Sequence, residues 1–329
     1  MALIRLDGVE REFVVRRRNG RIRRRREVVR AVDGISFDVE AGEIVGYIGP
    51  NGAGKSTTIK MLTGILMPTA GTVRVDGLDP QRSRTELAMR IGVVFGQRNQ
   101  LWWDLPLRDS FDLLRHVYRV PAGRHAARLA EFVELLELGP FLETPVRQLS
   151  LGQKMRGEIT AALLHDPAIL YLDEPTIGLD VVSKSRVREF LARINRELGV
   201  TVVLTTHDLS DVERLCSRLM VIDLGRLVYD GTVDDLKARH GQYRTLVVDL
   251  ERPDGPLNVA GAHVVRVEGP RQWLRFHRER TTAAELIANI ACTTPVVDLT
   301  VEEPLIEDVI SRLYAGETGP EGRSEGGEG

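Results

Sequence analysis

A glycine-rich stretch, "GPNGAGKST" at residues 49–57, constrains the fold of this chain more than any other feature. It follows the short apolar run "EIVGYIG" and opens a run of helix-forming residues. Gly49, four further residues, Gly54, Lys55 and Ser56 match the pattern of a phosphate-binding loop, or P-loop, between a buried strand and a helix. Glycines let successive backbone N–H groups turn toward phosphate oxygens, and the helix adds the positive end of its dipole. The pattern therefore predicts a bound phosphate at this turn.

Two side chains of the P-loop have expected chemical roles. Lys55 can reach the β- and γ-phosphates of a nucleotide, and the Ser56 hydroxyl can ligate Mg²⁺. The alternative is a glycine-rich turn without a ligand. Such a turn has no need for Lys-Ser at this offset, so the sequence favours nucleotide binding.

Two carboxylates follow a second apolar run, "AILYLDEPT". Asp173 and Glu174 stand at the carboxyl end of this predicted strand, where ligands bind in open α/β sheets. Asp173 is expected to hold Mg²⁺ through water, and Glu174 to orient or deprotonate an attacking water. Two solvated acids at a strand end would be an equal alternative if the P-loop were not upstream.

Gln97 and His207 also follow predicted strands, "IGVVF" and "TVVLTT". The Gln97 amide could contact both metal and water, and a neutral imidazole at His207 could donate to a γ-phosphate oxygen. Each is weak evidence alone, because a surface side chain is the alternative. Trp102 and Trp103, close after Gln97, are either partly exposed core or the wall of a groove for a partner's helix. The sequence leaves those two interpretations open.

The stretch "QLSLGQKMRGE", residues 148–158, predicts a second anion site. Ser150 is a suitable N-cap for a helix, and Gly152 lets the backbone come close to another group. The free N–H groups at a helix start attract anions. A chain that already has a P-loop thus has a second phosphate site without an obvious phosphate of its own.

The order of elements predicts an α/β fold, a P-loop NTPase with a mainly parallel sheet and a smaller antiparallel β subdomain. Further strands are expected at "TVRVDG" and "IGVVFG", and a helix around 183–198. After about residue 240 the pattern changes to a small α+β domain whose last helix begins near Pro304. We predict three parts: residues 1–240, residues 241–315, and a Gly/Glu-rich tail, 316–329, that is expected to be disordered.

Arginines surround Asn19-Gly20, between two runs that predict strands, "ALIRLDGVEREFVV" and "EVVRAVDGISFDVE". Asn-Gly in this position indicates a hairpin, so residues 16–27 are predicted to form an arginine-rich hairpin extension. The extension either contacts anionic lipid or nucleic acid, or is a solvated loop. The solvated loop is favoured, because the run has no interleaved aromatic residues.

Overall composition excludes several classes of protein. Net charge is −2, which gives no general attraction to nucleic acid or membrane. Two distant cysteines, Cys216 and Cys292, suit a reducing compartment. No apolar run approaches the roughly 20 residues of a membrane span, and "MALIRLDGVE" has charges where a signal peptide needs apolar residues. If the protein works at a membrane, we expect another chain to cross it.

Taken in order, "GPNGAGKST", Gln97, "LSLGQ", "AILYLDEPT", "TIGLD" and His207 resemble the ATP-binding subunit of an ABC transporter over roughly residues 1–235. The family's signature motif is Leu-Ser-Gly-Gly-Gln, and this chain has Leu151 at the third place. The resemblance implies a helical signature subdomain and a homodimer. It also implies that the signature helix of one copy faces the nucleotide on the other copy's P-loop. The second phosphate site would then bind a phosphate of the nucleotide that the other copy holds.

The resemblance and the residue chemistry together give a set of expected site residues. Phe13 is included because the family stacks adenine on an aromatic near the first strand, and Asp180 because it closes "TIGLD". Catalysis is expected of Glu174 and His207, and Mg²⁺ binding of Ser56, Gln97 and Asp173. ATP binding is expected of Phe13, Gly49, Pro50, Asn51, Gly52, Ala53, Gly54, Lys55, Ser56, Thr57, Gln97, Ser150, Gly152, Gln153 and Asp180.

The stretches "VVFGQRNQLWWDLP" and "LSLGQKMR" further resemble single-cassette ATPases of drug, polysaccharide or lipid exporters. Those ATPases lie at the cytoplasmic face of the membrane and pair with a separate permease, which Trp102–Leu107 is expected to contact. The alternative is a soluble ABC-type ATPase that acts on ribosomes or nucleic acid. It predicts two cassettes or a long coiled-coil insertion, and the sequence has neither. We therefore expect no nucleic-acid partner.

Overall fold

The computed structural model describes residues 2–19, 23–96, 99–240, 243–252, 255–303 and 306–314. Gly20, Gln97, Pro304 and the predicted tail, 316–329, lie outside these ranges. The chain divides into two compact units, Met1–Gly231 and Thr232–Gly329. In the part of the chain that is described, no helix has both the length and the apolar character required to cross a bilayer.

The first unit alternates strands and helices. Its elements are β1 Ala2–Asn19, β2 Arg23–Glu40, β3 Ile44–Ile48, α1 Lys55–Leu62, β4 Ala70–Val75, α2 Arg84–Ala88, β5 Ile91–Phe95, α3 Leu107–Val117, α4 Ala122–Leu135, α5 Leu151–Leu163, β6 Ile169–Asp173, α6 Val181–Leu198, β7 Thr201–Thr205, α7 Leu209–Leu215, β8 Arg218–Asp223 and β9 Arg226–Thr232.

The predicted parallel sheet is present and has six strands in the order β5-β6-β7-β3-β8-β9. The pairs β5–β6, β6–β7, β7–β3 and β3–β8 are parallel. Strands β3 and β7 are buried along their whole length. This is expected for a parallel sheet that is covered on both faces, and it places the carboxyl ends of β3, β6 and β7 side by side.

The antiparallel subdomain is a three-stranded sheet, β2-β1-β4. Strands β1 and β2 pair from Ala2↔Glu40 to Asn19↔Arg23, as the sequence predicted. The first four residues of "TVRVDG" belong to β4, which joins this sheet and not the parallel one. Its alternation explains the difference: Val73 and Val75 are buried while Arg74 is exposed, so β4 has one solvent face.

Two regions of the first unit were not predicted in detail. One is the helical region of α3 and α4, where Phe111 and Phe132 are buried. The other is the pair β8 and β9 at the edge of the parallel sheet. Strand β8, "RLMVID", has four consecutive apolar residues at its centre, a run that the strand rules would have found. The predicted helix around 183–198 is α6, which buries Val187, Phe190, Leu191 and Ile194.

The second unit is an α+β domain of four antiparallel strands in the order β11-β12-β10-β13. Helix α9 packs Leu286 and Ile290 into the core of this sheet. A capping box between Thr282 and Glu285 begins the helix. The elements are α8 Val233–His240, β10 Tyr243–Leu250, β11 Ala262–Glu268, β12 Arg271–His277, α9 Ala283–Thr293, β13 Val296–Glu302 and α10 Ile306–Tyr314.

Candidate nucleotide site

The P-loop connects buried β3 to α1, which begins at Lys55. The ammonium group of Lys55 donates to the carbonyl oxygens of Gly49 (2.7 Å) and Pro50 (3.1 Å), so the loop is wrapped around it. Burial lowers the pKa of Lys55, and the nearby carboxylates of Glu174 and Asp173 oppose that shift. A cation in this position is available to anionic oxygens that approach the loop.

Two P-loop glycines are required by close packing. A Cβ atom on Gly49 would lie 2.2 Å from the carbonyl oxygen of Ile222 in β8. A Cβ on Gly54 would lie 2.3 Å from the carbonyl oxygen of Ala31 in β2, and Gly54 also has φ of +109°. No other residue type fits either position. Of the remaining expected contacts, Ala53 is buried, Ser56 and Thr57 are half-buried, and Pro50, Asn51 and Gly52 are exposed.

Asp173 lies at the carboxyl end of β6, beside the start of α1. Its carboxylate accepts hydrogen bonds from the Thr205 hydroxyl at 2.5 Å and from the Ser56 hydroxyl at 3.4 Å. The chain thus brings together two of the three expected Mg²⁺ ligands, and both are hard oxygen donors that suit this ion. The third, Gln97, lies outside the described residues. Thr205 is a member of the site that the sequence reasoning missed, although its place at the end of β7 was a signal.

The described residues contain no group of three His, Cys, Asp or Glu side chains that would hold a metal alone. Mg²⁺ commonly uses one or two protein oxygens and takes its other ligands from water and substrate phosphates. Ser56 and Asp173 fit that mode of binding.

Glu174 has φ of +57°, in the left-handed region that non-glycine residues adopt at a cost of about 1–3 kcal/mol. Its N–H donates to the carbonyl oxygen of Thr205 at 2.9 Å. Its carboxylate lies 2.6 Å from Nδ1 of His207, which follows β7. The neighbouring ends of β6 and β7 therefore bring the two expected catalytic side chains into contact, and a strained backbone marks the position.

The signature motif begins α5 with a capping box. The Ser150 side chain accepts from the Gln153 N–H at 3.3 Å, and the Gln153 side chain accepts from the Ser150 N–H at 2.8 Å. The predicted N-cap is therefore present. Both side chains are engaged within their own motif in the single chain.

Gly152 and Leu151 both contact the segment that follows β6. A Cβ on Gly152 would lie 2.7 Å from the Ser183 hydroxyl of α6. Leu151 is about half exposed, and its Cδ2 atom would lie 2.8 Å from a Cβ on Gly178 in "TIGLD". The sequence placed Gly152 against a phosphate; in the single chain the close neighbour is Ser183.

Asp180 is the N-cap of α6 rather than part of a free turn. Its carboxylate accepts from the Ser183 N–H at 2.9 Å and the Ser183 hydroxyl at 2.7 Å. These backbone and side-chain hydrogen bonds lower the pKa of Asp180. Ser183 thus bonds to Asp180 at the start of α6 and packs beside Gly152 at the start of α5. The signature motif and "TIGLD", which are both expected to face nucleotide, are therefore adjacent.

Phe13 lies in β1, opposite Val29, and is half-buried. The guanidinium of Arg11 stacks over its ring, 4.6 Å from the centroid. One face of the ring is therefore covered. An adenine that stacks on Phe13 must use the other face.

Comparisons with known proteins agree with this geometry. Residues 32–177 match the family model described as "ABC transporter". The linearmycin resistance ATP-binding protein LnrL of Bacillus subtilis is 33% identical over 296 residues, covering 88% of this chain and 93% of that protein. The Nod factor export ATP-binding protein I of Paraburkholderia xenovorans is 41% identical over 228 residues, 68% of this chain and 72% of that protein.

A solved structure shows the same fold. A dimeric bacterial ABC transporter cassette superposes with a TM-score of 0.60 at 28% identity, covering 70% of this chain and 98% of that chain. Fold, motif order and relatives agree. This chain belongs to the family of ABC transporter ATP-binding proteins, which are ATPases.

Proposed function

We propose that this protein is the ATP-hydrolysing subunit of an exporter, and that it works as a homodimer beneath a separate permease at the cytoplasmic face of the membrane. The observation that carries the proposal is the arrangement of the site. Ser56, Asp173, Glu174 and His207 are gathered at the P-loop, while the signature helix is held against α6. The relatives named for drug resistance and Nod factor export support transport out of the cell.

The P-loop would bind the triphosphate of ATP. Backbone N–H groups of residues 52–57 and the Lys55 ammonium would neutralise the phosphate oxygens, and the free face of Phe13 would stack on adenine. Ser56 and Asp173, with Gln97, would hold Mg²⁺. When bound, this ion would offset negative charge on the β- and γ-phosphate oxygens.

Glu174 would accept a proton from the water that attacks the γ-phosphate. Its contact with Nδ1 of His207 fixes one carboxylate oxygen and leaves the other for water. With Nδ1 donating to Glu174, a neutral imidazole has no proton on Nε2, so a donation from Nε2 toward a γ-phosphate oxygen requires the imidazolium form. His207 would thus orient Glu174, the proposed base, through Nδ1 and contact the γ-phosphate of ATP through Nε2.

A second copy of the chain would complete each site with the N-terminus of its α5. Ser150 and Gly152 would face the γ-phosphate there, and Asp180 would lie nearby. Large apolar side chains are exposed in this region, which is the surface expected of an interface. These are Leu151, Ile177, Val181 and Val182. ATP would favour the closed dimer through contacts that ADP lacks, and hydrolysis would reverse that shift.

The permease would contact the segment that begins at Trp102. Trp102 and Trp103 are 40% and 52% exposed, which favours the groove interpretation over core packing. Leu107 is fully buried, so the expected contact narrows to Trp102–Pro106. This segment is short and partly apolar, as a docking site for a cytoplasmic helix requires.

The alternative of a soluble ATPase that acts on ribosomes or nucleic acid is not favoured by the relatives, which are named for linearmycin resistance and for Nod factor export. Co-purification separates the two functions. A membrane protein that remains bound in detergent supports the exporter. An RNA or DNA complex that dissociates as salt rises supports the alternative.

The concentration dependence of ATP hydrolysis tests the composite site. If two chains build each site, activity per molecule rises with protein concentration until dimers are saturated. The variant Glu174→Gln measures any contaminating ATPase. Equal activity per molecule in dilute, strictly monomeric samples and in concentrated samples would rule out the proposal.

A further inference from the structure

We infer that Glu158 of α5 is a positioning residue that fixes the start of the tryptophan segment, residues 100–107, to the signature helix. The consequence is that the proposed permease contact moves with the helix that seats the partner's nucleotide. The inference rests on the proposed function, since it needs a dimer that closes on ATP.

Glu158 is a buried carboxylate in the middle of α5, only 3% exposed. The Gln100 N–H donates to both of its carboxylate oxygens, at 3.2 and 3.0 Å. Burial raises the pKa of Glu158, and hydrogen bonds from the N–H groups of Gln100 and Leu101 oppose that rise. Without this carboxylate, two backbone donors would lose their acceptor in a buried place, which is costly.

A second contact lies one residue away on the same helix. A Cβ atom on Gly157 would lie 2.8 Å from Leu107 Cδ1 and 3.1 Å from Leu101 Cδ1. Both leucines are buried. The absence of a side chain at Gly157 therefore lets the two ends of the tryptophan segment pack directly on α5.

The third contact reaches the exposed part of the segment. The Lys154 ammonium lies over the Trp103 ring, 5.0 Å from its centroid. Lys154, Gly157 and Glu158 have the spacing i, i+3, i+4, so they share one face of α5. One face of the signature helix thus contacts the segment by an ion–ring contact, apolar packing and buried hydrogen bonds.

The segment starts at the sheet and then leaves it. The Gln100 side-chain amide donates to the carbonyl oxygen of Val93 in β5 at 2.5 Å. Beyond that anchor, the segment contacts α5 and also residues 144–147, which lead into that helix. The N–H groups of Val146 and Arg147 donate to the carbonyl oxygens of Leu105 and Trp103, both at 3.0 Å. These bonds hold the middle of the segment, whereas Glu158 holds its sheet-side end, so we expect loss of Glu158 to release the residues that precede Trp102 and Trp103.

Tryptophan fluorescence can test this coupling, because the chain has three tryptophans and only Trp273 lies outside the segment. The reference protein carries Trp273→Phe, so that Trp102 and Trp103 report alone, and Glu174→Gln, so that ATP stays bound. Light scattering follows dimer formation with Mg²⁺-ATP, and emission follows the environment of the two tryptophans. Emission in the reference protein should change as dimers form.

The variants Glu158→Ala and Glu158→Gln are added to this reference protein. We expect nucleotide binding and dimer formation to persist, while the emission change is smaller than in the reference protein in both variants. The decrease should be greater in Glu158→Ala, because Glu158→Gln keeps one acceptor oxygen. The matched control is Glu134→Ala, an exposed glutamate of α4. It should leave the emission change intact. If Glu158→Ala does not fold, Glu158→Gln carries the test.

The remaining outcomes are distinguishable. A full emission change in both Glu158 variants would overturn the inference, as would a reference dimer that forms without any change in emission. Failure of the reference protein to dimerise with ATP would instead overturn the proposed function, and this inference with it.

Discussion

The Ser183 hydroxyl occupies the space beside Gly152 that any side chain at that position would need, 2.7 Å from an added Cβ. The signature motif is therefore tightly packed before a second copy arrives. We expect Gly152→Asp to abolish hydrolysis while the monomer still binds ATP, because the P-loop is untouched.

A side chain at Gly152 has two expected effects that must be distinguished: a steric clash with Ser183, and loss of the composite nucleotide site. Gly152→Ala should cost about 1–3 kcal/mol of unfolding free energy through overpacking. Adding Ser183→Ala should recover part of that stability but not the hydrolysis. Urea unfolding and ATPase assays of the single and double variants check this. Recovery of turnover together with stability would contradict the composite site.

The contact between Glu174 and His207 predicts the effect of removing the base. Glu174→Gln keeps the shape and a hydrogen-bonding group for His207 but cannot accept the proton of water. We expect ATP binding to persist, hydrolysis to collapse and the dimer to stay closed. Size-exclusion chromatography with ATP and Mg²⁺ measures the dimer, and phosphate release measures turnover. Normal phosphate release would exclude Glu174 as the base.

Lys55 has two roles: it donates hydrogen bonds to the P-loop backbone, and it is expected to bind phosphate. Lys55→Ala removes the donor to the carbonyl oxygens of Gly49 and Pro50 and the cation that meets the triphosphate. Because hydrogen bonds to charged groups contribute about 1.5–3 kcal/mol, affinity for ATP should fall by about ten-fold or more. Titration with a fluorescent ATP analogue checks this. Lys60→Ala, on the same helix and half-buried, is the control and should bind normally.

His165 predicts a loss of stability in acid. Burial lowers the pKa of His165 to about 4. Its Nε2 atom lies 3.0 Å from the carbonyl oxygen of Ile91, and its ring stacks on Tyr118 at 3.9 Å. Its Nδ1 atom is buried and has no hydrogen-bond partner among the residues that the structure describes. A second proton would place charge on that buried nitrogen.

The sign follows from where protons bind. Between pH 6.5 and about 4 the unfolded chain binds a proton at His165 that the folded chain does not, so the free energy of unfolding falls as pH falls. The contribution has a ceiling of about 3 kcal/mol. His165→Gln does not titrate, so its stability deficit relative to the parent protein should shrink from pH 7 to pH 4 in urea unfolding. A deficit that is constant with pH would contradict this prediction.

Local patterns were sufficient for much of the fold. The P-loop turn, the strand that ends at Asp173, the capped start of α5 and the apolar face of α6 each depend on residues that are adjacent or one helical turn apart. Sheet membership was not readable in this way. The alternation of β4 indicates one solvent face, but alternation does not identify the strand with which it pairs, and its pairing with β1 assigns it to the antiparallel sheet.

In the site, too, the sequence predicted features that depend on local pattern but not contacts between distant segments. Single residues at strand ends identified Asp173, Glu174 and His207, because parallel strands end at a common edge. Contacts between distant segments were invisible to the sequence. The hydroxyl of Ser183 beside Gly152 comes from a residue without a distinctive pattern. The hydroxyl of Thr205 on Asp173 comes from a strand end, but its position alone does not indicate which side chain it contacts.

The close approach of Ile222 and Ala31 to Gly49 and Gly54 has a consequence for how ATP is recognised. The N–H of Gly225 also donates to the Ala53 carbonyl oxygen at 3.0 Å. Backbone atoms of other segments therefore contact the P-loop on both sides. A P-loop held in this way is preorganised, and it loses little conformational entropy when a nucleotide binds. In the proposed dimer, the large rearrangement would then be the closure of the two subunits, where the γ-phosphate of ATP makes contacts that ADP lacks.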